Sequence, residues 1–151
     1  MLQRSQSLYL FFSLLLYVVI SVSPVFYVSD NSLTYSVFTC KSNSLVNGTV
    51  QYMFPLAISI ILAAVILCIS IFLFRKRKLQ IRFVQTAQLF VFASIISLGI
   101  YLYIYTHLNS GIHPRLTPFA AIPFISLLLN FLAIRGIRKD QALIDSLNRL
   151  R

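Results

Sequence analysis

The chain has 151 residues, 58% hydrophobic and only 11% charged, with a mean hydropathy of +0.84. Ordinary soluble domains carry about 25% charged residues, so composition excludes a water-soluble globule. A net charge of +10 suits nucleic acid or an anionic membrane, but nearly all the cations stand at the ends of apolar runs, which argues against nucleic acid as a partner.

A helix needs about 20 apolar residues to cross a bilayer core. The first candidate is "LYLFFSLLLYVVISVSPVFYV", residues 8–28. Arg4 before the run and the small residues at 21–23 resemble a signal peptide. Pro24 follows them directly and the apolar stretch continues through Phe26 and Tyr27, so the run reads as an uncleaved anchor. An extracytoplasmic loop at 29–51 is rich in Ser, Thr and Val. Its short alternation and Asn47-Gly48 suggest a small hairpin. The "NGT" there also matches a glycosylation pattern that is common by chance. Cys40 lies in this loop and Cys68 deep in the next span, with no C-x-x-C, so neither a disulfide nor a metal site is indicated.

The second span covers about 52–74, with Pro55 in its first turn, where a missing N–H does little harm. Between 56 and 74 stand thirteen Leu, Ile, Val or Phe residues, together roughly −4 to −8 kcal/mol towards insertion as an upper estimate. The third span runs over about 83–106 and the fourth over about 117–135. In the fourth, Thr117 reads as an N-cap and Pro118 as the first helical residue. Pro123 and Asn130 make that span the most dependent on its neighbours.

A cytoplasmic tail, 136–151, follows. Ile137, Leu143, Ile144, Leu147 and Leu150 gather on one side of its helical wheel, with Asp145 and Arg149 paired at i,i+4 on the other. Gly136 allows a bend before it. An amphipathic helix on the inner membrane surface is the expected form, with a docking helix for a partner as the alternative.

Lys and Arg mark the cytoplasmic side of membrane spans. One alternating set of segments holds Arg4, Arg75, Lys76, Arg77, Lys78, Arg82, Arg135, Arg138, Lys139, Arg149 and Arg151; the other holds Lys41 and Arg115. Eleven against two places both termini in the cytoplasm. Tyr27, Tyr52, Tyr101, Tyr103 and Tyr105 fall at the opposite ends, as an interfacial belt would. The expected fold is an all-α integral membrane four-helix bundle with a C-terminal amphipathic surface helix.

Three amides occupy one depth near the cytoplasmic ends of spans three and four. Gln85 and Gln88 lie about 4.5 and 9 Å beyond Arg82, and Asn130 about 7.5 Å before Arg135. A shared interhelical polar layer of Gln85, Gln88 and Asn130 would meet their hydrogen bonds.

"MLQRSQSLYL", "RKRKLQIR" and "RGIRKDQALIDSLNRLR" together resemble the signature stretches of a bacterial four-span membrane family known as domain of unknown function, number 4293. The resemblance spans essentially the whole chain. It rests on Gln3, Arg4, Gln80, Arg82, Arg138, Lys139, Asp140, Arg149 and Arg151, with Ser5 and Gln141 as departures. It implies a bacterial inner (cytoplasmic) membrane and no established activity.

Asp30, Asp140 and Asp145 all lie outside the spans, whereas proton relays keep an ionisable group within the membrane. His107 and His113 share one short outer loop with no acidic neighbour and read as solvated. With no catalytic motif among four glycines, no catalytic, cofactor or metal residue is nominated and no enzyme activity is expected. The leading expectation is a non-enzymatic protein whose cationic cytoplasmic face binds anionic lipid or a partner protein. The contact residues would be Arg4, Arg75, Lys76, Arg77, Lys78, Arg82, Arg138 and Lys139. A small-solute transporter or pore component is the alternative, and a lipid-acting enzyme ranks behind it. Oligomeric state is open.

Overall fold

A computed structural model describes residues 3–30, 33–39, 53–73, 76–107 and 113–149. Helix α1 spans Gln3–Val22 and is followed by strands β1 (Pro24–Asp30) and β2 (Leu33–Phe38). Helices α2 (Phe54–Phe72) and α3 (Arg77–His107) form a tight hairpin. Strand β3 (His113–Leu116) and a 3-10 turn (Pro118–Ala121) then lead into α4 (Ile122–Arg149).

Each helix packs on its sequence neighbours, and α4 returns onto α1 to close the ring. The buried positions explain how. They fall at 10, 13, 17 and 20 in α1; 56, 60, 63, 67 and 70 in α2; 80, 84, 87, 91, 94 and 98 in α3; and 126, 130, 133, 137 and 140 in α4. Steps of three and four alternate, the spacing that keeps one seam facing its neighbours at crossing angles of about 20°. Inside stand Leu, Ile, Val and Ala together with Ser13, Ser94, Ser126 and Asn130. The outward faces carry Phe11, Phe12, Ile58, Ile61, Leu89, Ile96, Leu128 and Phe131. Large apolar groups point outward and several hydroxyls point inward, an arrangement suited to lipid rather than water.

Three of the inward serines are satisfied locally. Ser59 donates to the Leu56 carbonyl (2.9 Å), Ser94 to that of Val91 (2.7 Å) and Ser97 to that of Ser94 (2.9 Å). Such back-bonding keeps a hydroxyl from needing water in an apolar surround.

Helices α2 and α3 and the stretch Pro118–Leu143 are long and apolar enough to cross a membrane. The apolar stretch of α1, Ser7–Val22, is shorter, about 24 Å at 1.5 Å per residue.

Three expectations about the elements require correction. First, the run 8–28 is not one helix. It ends at Val22, and Pro24–Asp30 becomes the central strand of an antiparallel sheet ordered β2-β1-β3. Pro24 cannot donate to a helical carbonyl, and Val25, Phe26, Tyr27 and Val28 suit a strand. The fold is therefore not purely helical. Asp30 pairs with Leu33 at the hairpin end, Tyr27 with Ser36, and Phe26 with Leu116 of β3. The hairpin thus turns before residue 33, while Asn47-Gly48 and Cys40 lie outside the described residues. Pro114 stands on β3, an edge strand, where a missing N–H is tolerated.

Second, α4 runs unbroken through Gly136 to Arg149. Ile134, Ile137 and Asp140 bury themselves on either side of it, which offsets the ~1 kcal/mol a helical glycine costs. The tail is thus a continuation of the fourth helix rather than a separate surface helix. Ile137 faces inward and Leu143 outward, so these two do not share one apolar side; the side chains of Ile144, Leu147 and Leu150 lie outside the description.

Third, α3 begins at Arg77, six residues before the expected span, and is 31 residues long. Pro55, by contrast, does sit in the first turn of α2.

Candidate cationic face and polar seam

The turn between α2 and α3 brings the cations into play. Leu73 N donates to Ser70 O (3.2 Å) and Lys76 N to Leu73 O (3.0 Å), while Ser70 Oγ reaches Gln80 O at 3.5 Å. These bonds reverse the chain in a few residues and put the first turn of α3 beside the later part of α4.

There the structure separates the nominated cations. Lys78 and Arg82 are exposed at i and i+4 on α3, opposite the buried row of Gln80, Val84 and Ala87. Arg135, Arg138 and Lys139 are exposed on α4, away from Ala133, Ile137 and Asp140. Lys76 is exposed just before α3. Among the cations whose side chains are described, Arg77 alone turns inward. Its Nη1 lies 3.5 Å from Oδ2 of Asp140, with side chains 19% and 8% exposed. Nη1 closes no hydrogen bond, so the contact is an ion pair of Coulombic character. Arg4 belongs to the first turn of α1 with its side chain outside the description, and Arg75 lies outside the described residues.

Asp140 was legible only as a signature acid outside the spans. Its partnership was not, although one acid amid a block of cations is the signal that finds it. Burial of a lone carboxylate is costly unless it is paired, and Arg77 supplies the opposite charge.

The expected amide layer is not formed. Gln85 is exposed, Gln88 half-buried and Asn130 fully buried. Gln85 follows Val84 by about 100° of helical rotation, which carries it off the buried seam. Asn130 instead lines the α1–α4 seam. One turn before it, Ser126 Oγ accepts from the Tyr17 hydroxyl at 3.0 Å and donates to Pro123 O at 2.8 Å. Ser13 and Asn130 also stand beside the Tyr17 hydroxyl. Neither Oδ1 nor Nδ2 of Asn130 closes a hydrogen bond within 3.5 Å, and neither does Ser13 Oγ. Sequence reasoning missed Ser13, Tyr17 and Ser126, because serines and tyrosines recur throughout the runs.

At the other end the sheet is tied to the bundle. The Thr117 hydroxyl donates towards Pro24 O and Val25 O, each at 2.7 Å, and Thr117 N donates to Val25 O at 3.2 Å. Thr117 does precede the first turn with Pro118 after it, but its side chain caps no helical N–H. Thr39 Oγ1 donates to Ile20 O at 2.7 Å, meeting a carbonyl at the end of α1. Tyr105 is buried with its ring edge-on to Phe26 at 5.5 Å, so it packs inside rather than joining an interfacial belt. Tyr27 and Tyr103 are exposed, and Tyr52 lies outside the described residues. His107 ends α3 with its ring 4.6 Å from that of Tyr103, and His113 begins β3.

Among the described residues no group of three His, Cys, Asp or Glu gathers. The family model described as "Domain of unknown function (DUF4293)" matches residues 2–150. No curated protein matches the chain.

Proposed function

The chain belongs to the DUF4293 family, and from that premise and the outward apolar faces we propose a multi-pass protein of a bacterial inner membrane. Four helices cross, both termini face the cytoplasm, and the exposed cations of α3 and α4 hold anionic lipid headgroups. The protein acts by binding rather than by catalysis.

One observation carries this reading: large apolar side chains are exposed along all four helices, and exposed Lys76, Lys78, Arg82, Arg138 and Lys139 gather at one end of the α3–α4 pair. A partner protein would favour a single concave patch. These cations instead radiate from two helices on their outward faces, where long stems lie along the apolar surface and charged heads reach the phosphate layer. Each such contact contributes about 1 kcal/mol near an anionic surface.

The test is lipid selectivity in nanodiscs of mixed phosphatidylglycerol and phosphatidylcholine. Spin-labelled lipid should favour the anionic headgroup at the native protein. The variant Lys78→Gln/Arg82→Gln/Arg138→Gln/Lys139→Gln should lose most of that preference. Equal selectivity in the two proteins would overturn the headgroup role.

A further inference from the structure

We propose that the α1–α4 seam contains a closed binding site for one internal water molecule, held by Asn130, Ser13 and Tyr17. The site is built from side chains that are among the most buried in the protein. Ser13, Ser126 and Asn130 are each 0% exposed and Tyr17 1%. Their hydrogen-bonding capacity is unequal to their own needs. Ser126 spends its one proton on Pro123 O and accepts from Tyr17, so it has no donor left. Asn130 keeps two donors and an acceptor unused, and Ser13 keeps a hydroxyl unused. The Tyr17 oxygen, having donated its proton to Ser126, still offers lone pairs.

These open groups converge, since Ser13, Ser126 and Asn130 all stand beside the Tyr17 hydroxyl. The set contains both donors and acceptors and no charge, so it selects a small neutral guest that donates and accepts. A water suits it: it accepts from Asn130 Nδ2, donates to Tyr17 Oη and exchanges a bond with Ser13. That is the usual complement of about three bonds for a buried water. A cation finds too few oxygen ligands here, and an anion finds too few donors. Ser13 lies near the middle of α1, and Asn130 stands within the apolar stretch Pro118–Leu143, five residues or about 7.5 Å along the helix before the exposed Arg135. The site rests on interior contacts and not on orientation or on headgroup binding, so loss of the lipid preference would leave it standing.

Water-edited solid-state NMR of the full-length, uniformly 15N-labelled protein in bilayers tests it. The Asn130 side-chain amide is identified by its loss in Asn130→Leu, or in Asn130→Gln should the first variant not fold. It should receive magnetisation from water several-fold faster than the backbone amides of residues 127–133. Tyr17→Phe should slow that transfer while leaving the backbone spectrum unchanged. A soluble gadolinium chelate should quench signals at the cationic end and leave Asn130 untouched. Transfer no faster than at the neighbouring backbone would overturn the proposal. Quenching of Asn130 by the chelate would overturn it equally, by showing access from bulk water.

Discussion

The Arg77–Asp140 pair lies between two known limits. An exposed pair contributes about 0–1 kcal/mol, and breaking a fully buried one costs about 3–5 kcal/mol. With Asp140 nearly buried and Arg77 one-fifth exposed, Asp140→Ala should cost about 1–3 kcal/mol. Unfolding in mixed micelles would read this directly. The exchange Arg77→Asp/Asp140→Arg should recover part of the loss. A double exchange as unstable as the sum of its single variants would mean that the charges do not sense each other. The seam supplies a second residue-scale test. Tyr17 and Ser126 share one interhelical hydrogen bond, and such bonds average about 0.6 kcal/mol in membranes. A cycle of Tyr17→Phe and Ser126→Ala should give a coupling of that order. The corresponding cycle of Gln88→Leu and Asn130→Leu should be additive, because the two amides form no bond.

At the scale of elements, the unbroken α4 makes a distinct prediction. Spin labels placed singly from 131 to 146 should show accessibility rising and falling every 3.6 residues without a change of phase. A bend at Gly136 would shift the phase beyond it. The same helix shows why element boundaries were only partly legible. In a helix bathed in lipid both faces are apolar, so periodicity barely distinguishes inside from outside. The buried seam of α3, from Gln80 through Val84, Ala87, Val91 and Ser94 to Leu98, carries no stronger apolar signal than its outward face. Charge, by contrast, was legible, because lipid penalises it by several kcal/mol per residue. Hence the α2–α3 turn and the cationic end were readable from the sequence. Residues 24–30 were not, since a short apolar run serves equally as buried strand or helix. Pro24 held the information, and the strand's partners, Phe38 opposite Pro24 and Leu116 opposite Phe26, lie farther along the chain.

At the scale of the whole molecule, α1 decides the topology. Its apolar stretch of about 24 Å falls short of a bilayer core of ~30 Å, whereas α2, α3 and the fourth stretch suffice on their own. Three crossings would put the termini on opposite sides; four would put them together. Two features favour four. Leu8, Phe11, Phe12, Leu15, Val18 and Val22 are exposed along α1, an outward face that only lipid covers well. Helix α1 also packs against both α2 and α4, and β1 continues its chain into the sheet beyond. A short span is accommodated by local thinning or by snorkelling of flanking residues, at fractions of a kcal/mol per Å. Arg4 stands where such a flank is needed. Reporter fusions at the two termini should therefore be active in the same compartment, the cytoplasm, and a fusion within the loop near residue 40 in the other. Neutralising Lys78, Arg82, Arg138 and Lys139 together should weaken that bias and give mixed orientation, since Lys and Arg beside the spans set it. Termini reporting from opposite compartments in the native chain would mean that α1 lies against the bundle without crossing.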